Sequence, residues 1–149
     1  MNTYLVRHGE TAANGQSYAG RIDTALNAAG QVQAQRVVDL LRDVPVGAIL
    51  TSPLRRARQT ATPLALAHGL EPTIDPDLTE FDFGRYEGMA KRSAGLRLRK
   101  DHLFDPVPDG ESLHDLWRRV ERVAARLCAL RASTGVVVVV GHFWSNRLL

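Results

Sequence analysis

Val136-Val137-Val138-Val139-Val140-Gly141-His142 is a run of five β-branched residues that ends in a glycine and a histidine. An uninterrupted apolar run of this kind is typical of a strand that is buried on both faces of a parallel sheet. Earlier segments rich in strand-forming residues predict further strands over Thr3–Arg7, Val46–Thr51 and, more briefly, Pro72–Asp75. The chain therefore contains the strands of a mostly parallel sheet.

Helices are predicted between these strands. Asn27, Ser52 and Ser112 are residue types that cap helix N-termini, and each precedes a segment with apolar residues at three- and four-residue spacing. The first helix is expected to end near Asp43 and the second near Gly69. The residues predicted to face the core are Val37, Leu40 and Leu41 in the first helix, Leu54, Ala57, Ala61, Leu64 and Ala65 in the second, and Leu113, Leu116, Trp117, Val120, Ala124, Leu127 and Leu130 in the third. Alternating strands and helices predict an α/β fold, a three-layer sandwich in which helices flank the sheet.

The bulk properties limit the class of protein. A length of 149 residues suits one domain over residues 1–149, and 44% hydrophobic with 23% charged residues is ordinary for a globular chain. No apolar run approaches the roughly 20 residues that span a bilayer, and the N-terminus lacks the layout of a signal peptide. Because Cys128 is the single cysteine, no internal disulfide can form, and we expect a cytoplasmic protein without a membrane partner. The net charge of +3 suits an anionic ligand.

Polar clusters follow three of the predicted strands. Arg7-His8-Gly9 comes after the first strand, Ser52 to Arg56 after the second, and Gly141-His142 after the valine run. In open α/β sheets, ligands bind at the carboxyl ends of the strands. We therefore expect His8, Arg56 and His142 to meet at one rim, with the carboxylate of Glu80 supplied by the loop after Leu78.

These side chains suit the transfer of a phosphoryl group. The guanidinium forks of Arg7 and Arg56 match phosphate oxygens. The neutral imidazole of His8 is a nucleophile that can split one difficult displacement into two easier steps. Glu80 can give a proton to the leaving group and then activate water. The set is complete without a metal ion or another cofactor, and the sequence contains no phosphate loop, nucleophile elbow or zinc-binding helix motif.

Several ordered motifs carry a resemblance to a known family. They are Leu5-Val6-Arg7-His8-Gly9-Glu10-Thr11 with Asn14, Gly20-Arg21-Ile22-Asp23 with Leu26, Gly30 and Gln33-Ala34, Thr51-Ser52-Pro53-Leu54-Arg55-Arg56-Ala57-Arg58-Gln59-Thr60-Ala61, Leu78-Thr79-Glu80 with Phe83-Gly84-Arg85-Tyr86-Glu87-Gly88, and Asp109-Gly110-Glu111-Ser112. In this order, and over nearly the whole chain, they resemble the histidine phosphatase superfamily, the phosphoglycerate-mutase-like proteins. The resemblance implies a phosphoglycerate-mutase-like fold and a metal-independent phosphomonoesterase that acts on a small-molecule phosphomonoester.

The resemblance also implies a role for each matching residue. His8 is the residue that becomes phosphorylated, and Glu80 is the general acid and base. The residues implied to hold the phosphoryl oxygens are Arg7, Arg56 and His142, and those implied to line the mouth of the pocket are Asn14, Gly20, Arg21 and Asp23.

Two features depart from the family pattern. The second histidine of the family is commonly followed by glycine, whereas His142 is followed by Phe143-Trp144. The bulk of Phe143 is expected to narrow the pocket or to alter the approach of the backbone to phosphate. The family also continues after this histidine through a helix and often another strand. Because the sequence ends at Leu149, the resemblance implies a C-terminally shortened form of the fold.

Three other functions remain as alternatives. A phosphoglycerate-type mutase would return the phosphoryl group from His8 to a second hydroxyl, although the short chain favours hydrolysis. A non-catalytic module would bind a phosphorylated ligand without turnover. Nucleic-acid binding depends only on a basic stretch that is better interpreted as a solvated face, so no nucleic-acid partner is expected. That stretch contains Lys91, Arg92, Arg97, Arg99 and Lys100.

Overall fold

A sheet of four parallel strands lies at the centre of the protein, in a computed structural model that describes residues 2–96, 98 and 102–149. The strands are β1 (Thr3–Arg7), β2 (Val46–Thr51), β3 (Thr73–Ile74) and β4 (Val136–Gly141). Their order across the sheet is β1-β4-β2-β3, so the valine run lies between β1 and β2. The four predicted strands are confirmed.

Helices cover both faces of this sheet, as predicted for a three-layer α/β sandwich. They are α1 (Ala28–Leu41), α2 (Arg55–His68), α3 (Lys91–Ala94), α4 (Leu113–Thr134) and α5 (Phe143–Leu148), with short 3-10 turns at Pro76–Leu78 and Gly84–Tyr86. The valines of β4 alternate between the two faces, because successive side chains of a strand point in opposite directions. Val138 and Val140 pack with α1 and α2, whereas Val137 and Val139 pack with α4. None of these four valines is exposed, which confirms the strand buried on both faces.

Helix α1 begins where the sequence predicts, but its buried face is different. The Asn27 side chain accepts a hydrogen bond from the Gly30 amide at 2.8 Å, which is the expected N-terminal cap. The prediction that Leu40 faces the core is wrong, since its side chain is 79% exposed. The buried stripe instead contains Gly30, Ala34, Val38 and Leu41. These residues recur at helical spacing, and Leu40 lies about 100° of rotation away from Leu41.

The start of α2 also differs from the prediction. The helix begins at Arg55 with Leu54 at its N-cap, so Ser52 is not the cap. Ser52 is fully buried, and its hydroxyl faces the carboxyl end of β4 instead. The predicted end is confirmed, because Gly69 closes the helix in the left-handed conformation that glycine adopts at low cost.

Helix α4 is capped as predicted, with one change in its packing face. Ser112 and Asp115 form a reciprocal capping box. Trp117 was expected in the core but is 47% exposed and packs near His114. Arg119 takes a buried position on this helix instead. No helix within the described ranges combines the length and apolar character needed to cross a membrane.

Candidate active site

The carboxyl ends of β1, β2 and β4 meet at one rim, and the structure brings His8, Arg56 and His142 together there. The His8 amide donates to the Gly141 carbonyl at 3.0 Å, and the Ser52 amide donates to the Val140 carbonyl at 3.0 Å. The two imidazole rings lie 5.0 Å apart between centroids, at 58° to each other. Parallel pairing thus places residues from both ends of the sequence in one site.

His8 is held in a defined orientation. Its Nδ1 lies 2.7 Å from the Gly9 carbonyl, an acceptor, so Nδ1 carries the hydrogen and Nε2 is unprotonated. Arg56 Nε donates to this Nε2 at 3.3 Å. Burial, together with the charges of Arg56 and Arg7, lowers the pKa of His8 to about 4, against the opposing effect of the Gly9 hydrogen bond. His8 is therefore uncharged near neutral pH.

The backbone around His8 is fixed by close packing. The Gly9 amide donates to the Thr60 hydroxyl at 3.0 Å, which ties the loop to α2. A side chain at Gly9 would collide with the backbone carbonyl of Gly30 in α1. Only glycine permits this approach of loop and helix, and the contact fixes the position from which His8 projects.

Arg56 is buried, with 1% of its surface exposed. Its two terminal nitrogens donate to the carbonyls of Ile22 and Gly20, each at 2.7 Å. The guanidinium therefore holds the Gly20–Asp23 loop against the rim as well as contacting His8.

The two charged side chains of that loop do not line the cavity. Arg21 forms ion pairs with Asp82 at 3.2 Å and Glu111 at 3.4 Å. Asp23 accepts a hydrogen bond from the Arg55 amide at 2.5 Å and so caps the first turn of α2. The geometry does not support the prediction that Arg21 and Asp23 line the mouth of the pocket, because other parts of the chain already hold these side chains.

Glu80 lies at the same rim, with 8% of its surface exposed. Its Oε1 accepts hydrogen bonds from the amides of Phe81 at 2.9 Å and Trp144 at 3.0 Å, and its Oε2 accepts one from Phe143 at 3.1 Å. Burial raises the pKa of the Glu80 carboxyl, although these amides and the charge of Arg56 oppose the rise. The carboxyl is thus more basic than an exposed glutamate.

Arg119 positions the backbone that carries Glu80, and the sequence analysis missed it. Its guanidinium donates to the carbonyls of Asp77, Thr79 and Glu80 at 2.6–2.9 Å. It also forms a buried ion pair with Glu111 at 2.7 Å. The Asp109-Gly110-Glu111-Ser112 motif was the available signal, because a glutamate buried beside a helix start requires a cationic partner.

His142 lies below His8 and is completely buried. Its Nε2 is 2.8 Å from the Ser52 hydroxyl. The Nδ1 atom is buried and has no hydrogen-bond partner within the described ranges. Burial, followed by the charge of Arg56, lowers the pKa of His142 well below its usual value. The ring is therefore neutral.

A cavity of about 670 Å³ opens beside His8, Arg56 and Glu80, whereas the buried His142 is not among the residues that line it. Of the predicted residues, it is lined by Arg7, His8, Asn14, Gly20, Arg56 and Glu80. Phe143, whose bulk was expected to narrow the pocket, also lines it. Residues not assigned a role in the pocket from the sequence line it too, namely Ala13, Gly15, Ser17, Tyr18, Ala19, Phe83, Lys91 and Trp144. Lys91 is exposed, as expected, and its Nζ lies 5.8 Å from the centroid of the Tyr18 ring at the cavity wall. Of the same basic stretch, Arg97, Arg99 and Lys100 lie outside the described residues.

Metal-ligating side chains do not cluster in the described structure. No group of three or more His, Cys, Asp or Glu residues within the described ranges is arranged to hold a metal ion.

Comparison with known proteins identifies the class. A model of the histidine phosphatase superfamily (branch 1) matches residues 3–149. The chain belongs to the histidine phosphatase superfamily, which confirms the family predicted from its motifs.

Individual relatives carry several names. The chain is 36% identical over 154 residues to a bifunctional protein of Mycobacterium tuberculosis, covering 97% of this chain and 42% of that protein. It is 35% identical over 133 residues to a probable phosphoglycerate mutase of an Enterobacter species, covering 84% and 62% respectively. The crystal structure of the alpha-ribazole phosphatase from Shigella flexneri superposes with a TM-score of 0.82 at 33% identity, covering 95% of this chain and 74% of that one. The chain thus spans less than half of the first of these relatives.

Proposed function

We propose that residues 1–149 act as one histidine phosphatase domain that hydrolyses small phosphomonoesters through a phosphohistidine on His8, without a metal ion or cofactor. The observation that carries this proposal is the 2.7 Å contact between His8 Nδ1 and the Gly9 carbonyl. It leaves Nε2 as the nucleophilic atom, in a ring that lines the cavity. The low pKa of His8 keeps that atom unprotonated over most of the pH range.

In the first step, the lone pair of His8 Nε2 forms a bond to phosphorus while the bond between phosphorus and the leaving oxygen breaks. The leaving oxygen takes a proton from Glu80 and departs as an alcohol. Oε1 of Glu80 already accepts two amide hydrogens, whereas Oε2 accepts one. The transferable proton therefore belongs on Oε2, which has a lone pair to spare.

The transferred phosphoryl group needs donors that are already in place. Arg7 and Arg56 supply positive charge at the cavity wall. His142 supplies a further donor. In this proposal the Ser52 hydroxyl, which accepts from the Leu54 amide at 3.3 Å, donates its own hydrogen to His142 Nε2, and the ring hydrogen lies on Nδ1. That buried, unpaired Nδ1–H can then bind a phosphoryl oxygen.

In the second step, a water molecule attacks phosphorus and Glu80 takes its proton. The bond between phosphorus and His8 Nε2 breaks, and inorganic phosphate leaves. His8 Nδ1 keeps its hydrogen bond to the Gly9 carbonyl throughout. The cycle therefore returns every side chain to its starting protonation state.

Two alternatives use the same pocket. The relative named as a probable phosphoglycerate mutase favours transfer of the phosphoryl group back to a second hydroxyl. A binding module without turnover would use the same donors but would not need the basic Glu80 carboxyl.

Incubation with 3-phosphoglycerate separates the three: free phosphate indicates hydrolysis, 2-phosphoglycerate indicates a mutase, and tight binding with neither product indicates a binding module. The natural substrate stays open, and the cytoplasmic location stays a prediction.

The direct test is a panel of phosphomonoesters assayed with a chelator present, followed by rapid acid-free quenching and mass spectrometry of the peptide that contains His8. We expect turnover that the chelator does not affect and a phosphoryl group on His8. The His8→Ala variant should lose turnover by about three orders of magnitude or more while keeping its melting temperature. Turnover near wild type in this variant, or activity restored only by added metal, contradicts the proposal.

A further inference from the structure

Phe143 occupies the position after His142 and joins two parts of the site. Its backbone amide donates to Glu80 Oε2 at 3.1 Å. Its ring lines the cavity and is 43% exposed. The guanidinium carbon of Arg7 lies 5.7 Å from the ring centroid, and that of Arg147 lies 5.9 Å from it. These distances are within the range of cation–π attraction.

Arg7 has few other restraints. Within residues 2–96, 98 and 102–149, its guanidinium forms no hydrogen bond and no ion pair, and its closest specific contact is the Phe143 ring. Arg56 is different, since three hydrogen bonds fix it in the buried rim. A free arginine samples many rotamers, so a ring beneath it favours those rotamers in which the guanidinium lies over the cavity.

The Phe143 ring is itself held in place. Trp144 packs against it edge to face, with 5.4 Å between the ring centroids. Trp144 is anchored in turn by its amide hydrogen bond to Glu80 and by contact with Phe81. The ring is therefore a fixed surface on which Arg7 can rest.

We infer that the ring of Phe143 is a positioning element, which orients the guanidinium of Arg7 toward the phosphoryl group bound above His8. This inference rests on the proposed phosphatase function and adds a residue to its phosphate-binding machinery. Phe143 stands where the family commonly has glycine, and the inference gives it a role other than narrowing the pocket. The ring acts through Arg7 and does not take part in the bond changes.

The test is a double-mutant cycle on the dissociation constant of inorganic phosphate, measured by isothermal titration calorimetry. Phe143→Leu keeps an apolar side chain but removes the ring, and we expect about two- to five-fold weaker binding. Phe143→Tyr keeps the ring and should bind within about two-fold of wild type. In the Arg7→Gln background, Phe143→Leu should cause no further loss, because the group that it orients is gone.

A matched control and a second measurement complete the design. Phe104→Leu makes the same change at a ring that is 69% exposed and packs on His114, and phosphate binding should not change. In nuclear magnetic resonance spectra, the side-chain protons of Arg7 should lose their ring-current shift in Phe143→Leu and keep it in Phe143→Tyr.

Each outcome separates this inference from the proposed function. Equal losses from Phe143→Leu in the wild-type and Arg7→Gln backgrounds overturn the inference, and so does a Phe143→Tyr variant as weak as Phe143→Leu. If phosphate binding shows the expected coupling between Phe143 and Arg7 but no phosphomonoester is hydrolysed, the positioning role stands and the phosphatase proposal is overturned. If phosphomonoesters are hydrolysed but the Phe143 and Arg7 substitutions have additive effects on phosphate binding, the phosphatase proposal stands and the positioning role is overturned. If the wild-type chain does not bind phosphate, both are overturned.

Discussion

The hydroxyl of Ser52 and Nε2 of His142 form a buried hydrogen bond of 2.8 Å that joins the end of β2 to the end of β4. Neither residue is exposed, so water cannot replace a lost partner. Ser52→Ala should reduce the free energy of unfolding by about 1–3 kcal/mol, and turnover by about tenfold, since His142 loses its orientation. Urea unfolding and initial rates provide the measurement. Ser93→Ala is the control, because its exposed hydroxyl donates to the nearby Ala90 carbonyl at 3.1 Å. Wild-type turnover in Ser52→Ala would argue that the orientation of His142 is unimportant.

Replacement of the Glu80 carboxyl should affect substrates unequally. Glu80→Gln cannot protonate a leaving oxygen, so alkyl phosphates should lose about 10²–10⁴-fold in rate, whereas aryl phosphates with acidic leaving groups should lose much less in the first step. The slope of log kcat/KM against the leaving-group pKa is the measurement. An equal loss for every ester would count against proton donation by Glu80. Melting temperatures serve as the folding control. In Glu80→Gln the side-chain amide replaces the carboxylate whose Oε2 accepts a hydrogen bond from the Phe143 backbone amide, so this hydrogen bond changes as well.

Arg119 should contribute strongly to stability although it lies outside the cavity lining. Its side chain is 8% exposed and is paired with the similarly buried Glu111. Arg119→Met removes the buried cation that Glu111 pairs with at 2.7 Å and the donor to three backbone carbonyls, so we expect a loss of about 3–5 kcal/mol in the free energy of unfolding. Arg122→Gln is the matched control. Arg122 is exposed in its ion pair with Asp77, so its replacement should change the free energy of unfolding far less. Similar losses in both variants would contradict this account of Arg119.

The pH dependence of activity should follow from the two shifted groups. His8 has a pKa of about 4, so its Nε2 becomes protonated only below that value, and kcat/KM should fall on that acidic side. Burial raises the pKa of Glu80, and ionisation of this acid should produce the alkaline limb for substrates with poor leaving groups. Glu80→Gln should remove the alkaline limb and leave the acidic one. An acidic limb at 6.5, the ordinary value for histidine, would mean that His8 is not shielded as described.

Stability should also decrease on acidification. In the unfolded chain His8 takes up a proton near pH 6.5, whereas in the folded protein it does so only near pH 4. Between these values the unfolded state binds more protons, so the free energy of unfolding falls as pH falls, by at most about 1.4 kcal/mol per pH unit from this group. Above pH 6.5 His8 is neutral in both the folded and the unfolded chain, so none of this free energy of unfolding has been lost. His8→Asn should flatten the curve measured by urea unfolding across this window, and an unchanged slope would refute the linkage.

The sequence predicted the fold well where one physical signal was dominant. The valine run of β4, the Asn27 cap and the Gly69 terminus are local features, and the structure confirms each of them. Leu40 and Trp117 were misplaced because apolar spacing alone does not determine the rotation of a helix against its sheet. Tertiary packing decides which stripe is buried.

The site was predictable to the level of which residues meet, and not to the level of how they are held. His8, Arg56 and Glu80 follow from the ends of strands and from family motifs. The side-chain partners of Arg21 and Asp23 come from segments distant in sequence, at Asp82 and Arg55, and no local pattern indicates those pairs. The amides that hold Glu80 are also invisible in the sequence, because backbone donors carry no residue signature.

The position of β1 at the edge of the sheet has a consequence for how the protein is made. Its neighbour in the described sheet is β4, which pairs Arg7 with Gly141. His8 is thus translated well before β4 (Val136–Gly141), the strand that anchors it. Until then β1 is an unpaired apolar strand, a kind of segment that associates readily with other chains. A nascent chain that stalls before β4 would therefore be inert and prone to associate with other chains.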